Sequence, residues 1–244
     1  MTMTLSRSIY FLCLVFGLGY ADEAAKTERD LRKALFENYD KLVRPVRNPT
    51  DIISVLAELV PVGIKDVDVK DKIIKLDTLF YQKWQDQYLT WDPSEYNGLD
   101  QFSIPASEIW RPDLAVYAGY SDSNYFPTVS TNAVLFANGT VLWVTPFTLK
   151  SRCSVTPPQE TDETFKCIFP IGTWTNDIRK ITVHEVRQNV LEGMAKEGFH
   201  DDNRKWKLES MTATSLEKQF SCCSHPFSLI VVDMVFRKKP QTDD

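Results

Sequence analysis

Asn138-Gly139 is the strongest short-range instruction in this 244-residue chain. It lies between Val134-Leu-Phe136 and Val141-Leu-Trp-Val144, and an Asn-Gly link between two β-rich runs asks for a tight hairpin whose turn residues adopt positive φ. Strand period governs most of what remains. Residues 52–56, 60–69 and 73–91 are rich in β-branched and aromatic side chains and are cut by Pro61, Gly63 and the Asp92-Pro93 turn. Further strands are expected at 166–169, 179–189, 206–213 and 229–237. In the run 73–91, Phe80, Trp84 and Tyr88 share one face with Gln82 and Asp86, and a large aromatic among polar neighbours marks a candidate site. On period alone, however, Trp84 reads as core, as do Trp91, Trp110 and Trp143.

One stretch has helical period. Thr27 offers a hydroxyl cap with Asp30 three residues on, Leu31, Leu35, Tyr39 and Leu42 follow, and Pro45 closes the segment. The apolar stripe of such a helix suits the end of a sheet. The fold expected is therefore all-β: an immunoglobulin-like sandwich of about ten strands with an N-terminal α-helix. No repeat or linker divides it, so residues 22–244 are read as a single domain.

Residues 1–21 stand apart. A lone Arg7, an apolar run from Ile9 to Gly19, and small residues at Gly19 and Ala21 have the make-up of a secretory signal and are too short to span a bilayer. Removing them takes away Cys13 and Arg7, which leaves Cys153, Cys167, Cys222 and Cys223 and moves the formal charge from −5 to −6. Four cysteines in an exported chain read as two disulfides, with three connectivities open. The pairing of Cys153 with Cys167 and of Cys222 with Cys223 is favoured because each sequence-local couple becomes its own clip. Adjacent cysteines either close into a strained eight-membered ring that stiffens a loop tip, or stay free or separately paired.

The same composition excludes several function classes. Lysines and arginines are scattered without a basic stripe, so no nucleic-acid partner is expected. No later run approaches the roughly 18 apolar residues of a membrane span, so a secreted, extracellular protein without membrane insertion is expected. Asn138-Gly-Thr140 is a glycosylation sequon on a hairpin tip. The histidines are His184, His200 and His225; His184-Glu185 lacks a second histidine, and there is no Gly-x-Ser-x-Gly or phosphate loop. Neither an enzyme nor a cofactor is expected. His200-Asp201-Asp202 offers calcium-type ligands, but a solvated acidic loop is the preferred reading, so no metal is expected.

Five motifs in order then resemble the ligand-binding domain of the Cys-loop receptor family, in particular its soluble acetylcholine-binding proteins. Cys153 and Cys167 enclose thirteen residues, and Gly172-Thr-Trp174-Thr follows them. Trp110-Arg-Pro-Asp113 leads to Tyr117, Trp84-Gln-Asp-Gln-Tyr-Leu-Thr-Trp91 runs on into Ser94-Glu-Tyr, and Phe220-x-Cys222-Cys223 precedes Phe227. The resemblance implies a homopentamer with a pocket at each subunit interface, taking small cationic or amphipathic ligands. It implies a principal face of Tyr117, Trp174, Phe220 and Phe227 closed by a Cys222–Cys223 ring. From the adjacent subunit it implies Trp84, Val134, Leu142 and Val144.

The chain also departs from the family pattern. Phe220 and Phe227 stand where tyrosines are typical, and each missing hydroxyl removes about 0.5–1.5 kcal/mol of hydrogen bonding from a ligand that needs it. Residues 154–166 are polar and acidic and lack the Phe-Pro-Phe-Asp segment that receptors press on their membrane domain. Pro170 and Leu229 replace the lysine and aspartate of the gating relay. With the polar end after Arg237-Lys-Lys-Pro240, these changes lead to the expectation of a protein that binds without gating. The alternative is the extracellular domain of a nicotinic-type channel subunit.

Overall fold

Alternation decides which side chains meet in the computed structural model, which describes residues 26–117, 131–156, 164–186 and 205–240. Residues 1–21, expected to be a secretory signal, residues 187–189 of an expected strand and His200-Asp201-Asp202 lie outside the described residues. Helix α1 spans Glu28–Phe36 and opens on a full capping box, in which the Thr27 hydroxyl accepts from the Asp30 amide and the Asp30 carboxylate accepts from the Thr27 amide at 2.8 Å. Leu31 is its buried anchor. Because the helix ends at Phe36, Leu42 falls outside the expected stripe and is exposed.

Among the described residues eleven strands follow: β1 Ile53–Asp68, β2 Ile73–Gln85, β3 Gln101–Pro105, β4 Leu114–Val116, β5 Asn132–Phe136, β6 Thr140–Arg152, β7 Ser154–Thr156, β8 Thr164–Thr173, β9 Ile181–Glu185, β10 Trp206–Lys218 and β11 Phe227–Lys238. They form one sheet in the order β3-β5-β6-β2-β1-β9 and a second in the order β10-β11-β8-β4, with β7 paired to β8. The expected sandwich with an N-terminal helix is therefore the observed one. β4 and β7, of three residues each, are too short to carry a period, and neither they nor β3 were among the expected strands.

Every second residue of β2, from Ile74 through Phe80 to Trp84, points into the core. Pro61 and Gly63 were expected to interrupt a strand. β1 instead runs through them, its register with β2 slipping between Pro61 and Gly63, and such a bulge is where a sheet tolerates both residues. β2 stops at Gln85 because the Asp86 amide turns to the Gly139 carbonyl at 2.8 Å. Gly139 has φ of 82°, and a Cβ there would lie 2.4 Å from the Asp86 carbonyl oxygen, so only glycine closes this corner. Tyr88, beyond the strand end, is exposed and donates to the Val46 carbonyl, while Gln82 and Asp86 are buried with Phe80.

Aromatic rings fill the space between the sheets. Trp84 meets Trp110 edge to face at 6.1 Å, and Phe165 meets Trp206 at 4.9 Å. The Cys153–Cys167 disulfide is buried beside them and joins the end of β6 in one sheet to β8 in the other. Closing a loop of this length contributes about 3 kcal/mol.

Candidate functional site

The ends of β4, β8, β10 and β11 converge on a chain of four aromatic rings. Tyr117 follows β4, and its amide donates to the Pro170 carbonyl of β8 at 2.8 Å. Its hydroxyl donates to the Thr173 carbonyl. Burial and nearby Asp113 push this phenol up to about 12, so it stays a neutral donor. Trp174 stands edge on to Tyr117 at 5.8 Å, Phe220 tilts against Tyr117 at 5.9 Å, and Phe227 meets Phe220 at 5.8 Å. Trp174 is 56% exposed, a rare state for the largest side chain.

The backbone beneath fixes this ring chain. The Trp174 amide donates to the Asp113 carbonyl at 2.9 Å, and the Asp113 carboxylate accepts from the Thr175 amide and the Asn176 side chain at 2.7 and 3.0 Å. Both carboxylate oxygens are thereby engaged in holding the turn that presents Trp174. Gly172 is needed two residues earlier because a Cβ would lie 2.7 Å from the Ser228 backbone carbonyl oxygen, besides meeting the Leu229 side chain on the paired strand. Asp113 and Gly172 appeared in the sequence only as members of motifs. Their tasks come from pairings between distant strands.

Above the rings, the turn between β10 and β11 carries the Cys222–Cys223 disulfide, so the vicinal ring is formed. Cys222 is exposed and Cys223 half-buried. The turn is tied back by the Cys223 amide to the Phe220 carbonyl at 3.2 Å and by the Ile178 amide to the Pro226 carbonyl at 3.1 Å. Ser228, at the foot of the loop, bridges the amide and carbonyl of Val183 at 2.8 and 3.1 Å. The loop thus has a fixed base and a solvent-facing tip.

Tyr117, Trp174, Phe220 and Phe227 are brought together. Val134, Leu142 and Val144 gather elsewhere, half-exposed on the outer face of the six-stranded sheet, where Val134 pairs with Leu142. Trp84 is not on that face. Its side chain is 2% exposed and lies in the inward row, cross-strand from buried Val141, so it belongs to the core as strand period indicates. The outward residues of the same strand are Leu79, Tyr81 and Lys83, which pair with Pro146, Val144 and Leu142. Odd-and-even parity along 73–85 was the signal that identifies them. A cleft of about 300 Å³ continues the face past Leu79, lined also by Val62, Asp77 and Pro146.

Glu58 pairs with Tyr81 in this outer row and is nevertheless buried, with its Oε1 lacking a hydrogen-bond partner among the described residues. Desolvation raises its carboxyl to about 7. Asn138 sits exposed at its hairpin tip. Among the described residues, no three His, Cys, Asp or Glu side chains are placed to hold a metal ion, and no helix is long and apolar enough to cross a membrane.

Residues 28–240 match the family model described as neurotransmitter-gated ion-channel ligand binding domain. The chain is similar to the acetylcholine receptor subunit alpha-L1 of Schistocerca gregaria, 31% identical over 209 residues, covering 84% of this chain and 37% of that protein. It is similar to the acetylcholine receptor subunit alpha-like 2 of Drosophila melanogaster, 30% identical over 236 residues, covering 93% and 41%. Against the neuronal acetylcholine receptor subunit alpha-9 of Homo sapiens the figures are 28% over 242 residues, 97% and 49%. The chain spans less than half the length of each of these relatives.

Proposed function

The chain belongs to the neurotransmitter-gated ion-channel ligand-binding domain family, and from that premise we propose that it is a secreted, homopentameric binding protein for small cationic or amphipathic ligands, with neither channel nor catalytic activity. The observation that carries this reading is the exposed Trp174 ring at the head of the Tyr117–Phe220–Phe227 aromatic chain, under a loop stiffened by the Cys222–Cys223 disulfide. Aromatic faces attract a quaternary ammonium through their quadrupoles, by about 2 kcal/mol for a desolvated contact. In the pentamer, Val134, Leu142 and Val144 of the neighbouring subunit form the apolar wall that excludes water from Trp174. Trp84 takes no direct part and supports the strand that carries the wall. Asn138 is the glycan acceptor.

Binding without gating is supported at the two relay positions. Leu229 is buried against Gly172, and Pro170 lies cross-strand from Val231, so neither position offers a charge to an ion pair. A second reading, the extracellular domain of a channel subunit, is favoured by relatives that are receptor subunits of more than twice the matched length. A transcript continuing into four hydrophobic spans decides for that second reading.

Light scattering on the secreted protein tests the assembly, with a pentamer expected and a monomer contradicting the interface pocket. Tryptophan-fluorescence titration with a quaternary ammonium tests the site. Saturable quenching that disappears in Trp174→Ala is expected. No saturable response in the wild type, or an identical one in the variant, defeats the proposal.

A further inference from the structure

Lys218 ends β10 opposite Phe227, and its Nζ lies over the Phe220 ring, 5.2 Å from the centroid. One of the ring faces that would attract a ligand cation is therefore already covered by a cation of the chain itself. Lys218 is exposed, and among the described residues no carboxylate pairs with it. Glu217, next to Lys218, alternates to the opposite side of β10, and two further acids near the rings are committed elsewhere. Asp177 is held by the Arg179 guanidinium at 2.7 Å, with the His225 ring 3.9 Å away, and Asp113 holds Thr175 and Asn176. Lys218 thus sets a positive charge over one of the four rings at the rim of the lid.

Two consequences follow from Coulomb's law. A ligand cation is repelled from the Phe220 end and directed toward the exposed Trp174 ring. A ligand that also carries an anionic group, set a few methylenes from its ammonium, gains a partner in Lys218. Tyr117 lies between the two ends, with its ring 5.8 Å from Trp174 and 5.9 Å from Phe220, and supplies an apolar floor for that spacer.

We propose that Lys218 is a specificity-determining residue that selects zwitterionic ligands, an ammonium on Trp174 and a carboxylate on Lys218, over simple quaternary ammonium cations. The proposal rests on the binding function inferred above.

A matched pair of probes tests it: 4-(trimethylammonio)butanoate and butyltrimethylammonium, which differ in the terminal carboxylate. Affinities are measured by calorimetric titration for the secreted wild type, Lys218→Gln and Lys218→Arg. The wild type is expected to favour the zwitterion by about three- to fivefold, the ratio that an exposed charge pair supports. Lys218→Gln abolishes that preference by weakening the zwitterion and tightening the plain cation, whereas Lys218→Arg keeps it. The preference shrinks as salt is raised, as exposed charges are screened. Saturable binding of both probes with the same ratio in wild type and Lys218→Gln overturns the role of Lys218 and leaves the pocket standing. No saturable binding of either probe to the wild type overturns the pocket and this proposal together.

Discussion

The interior around Trp84 and the rim around Trp174 are both built from aromatic rings set edge to face, yet their surroundings are opposite. Trp84 is 2% exposed, packed on Trp110, and its indole N–H has no acceptor among the described residues. Trp174 is 56% exposed, and its backbone is pinned through Asp113. In the interior an aromatic ring contributes through lost water and dispersion, and its removal leaves a cavity. On the rim more than half of the ring stays in contact with solvent, where a ligand can reach it. Similar geometry therefore holds the fold in one place and is available for binding in the other.

Truncating each tryptophan is the strongest way to break this comparison. Trp84→Ala is expected to cost about 3–5 kcal/mol in denaturant unfolding, and Trp174→Ala about 0.5 kcal/mol or less. Similar losses in the two variants contradict the division. The two disulfides sharpen the same contrast. Replacing Cys153 and Cys167 by alanine removes a buried link between sheets and is expected to cost about 3 kcal/mol. Replacing Cys222 and Cys223 opens a ring between adjacent residues, where almost no chain is closed, and stability should change by less than about 1 kcal/mol. Ligand affinity should fall in the second variant because its lid is no longer stiff.

Glu58 gives the smallest effect and the most specific one. Its carboxyl is raised to about 7 in the fold against an ordinary value of 4.5. Between those values the unfolded chain is ionised while the folded chain keeps the proton. The Glu58 contribution to stability is therefore full below about pH 4.5 and is lost as pH rises to about 7, by about 1–3 kcal/mol in total. Glu58→Gln should remove that slope, and the difference between the two stability curves should grow across this window and level off above it. An unchanged slope means that Glu58 is solvated in the folded chain.

Much of this arrangement was legible in the chain because it is local. The Thr27–Asp30 capping box, the Asn138-Gly139 turn and the parity of 73–85 each depend on neighbours within a few residues. Spacing and motif order led to the aromatic chain and the vicinal disulfide. What could not be read depends on pairing between distant strands. Trp84 sits in a motif as aromatic as that of Trp174, and only parity, confirmed by the β2–β6 register, sends it inward. Lys218 reaches Phe220 because β10 and β11 place it at the foot of the lid. Glu58 is buried on an outer face, a position that alternation marks as exposed. Pro61 and Gly63 were legible as interruptions but not as a bulge, since a bulge requires a partner strand to absorb the extra residue.

Subunit complementation tests most directly whether the Trp174 rim of one subunit is completed by the outer sheet face of the next. Trp174→Ala damages one half of each site and Leu142→Asp the other, so each variant assembled alone should lose saturable quaternary-ammonium binding. Co-assembled in equal amounts, they regenerate intact interfaces at about a quarter of the positions in a cyclic assembly. Binding is expected to return in the mixed pentamers at about that fraction of wild-type capacity. Mixed pentamers that form but remain silent would contradict it.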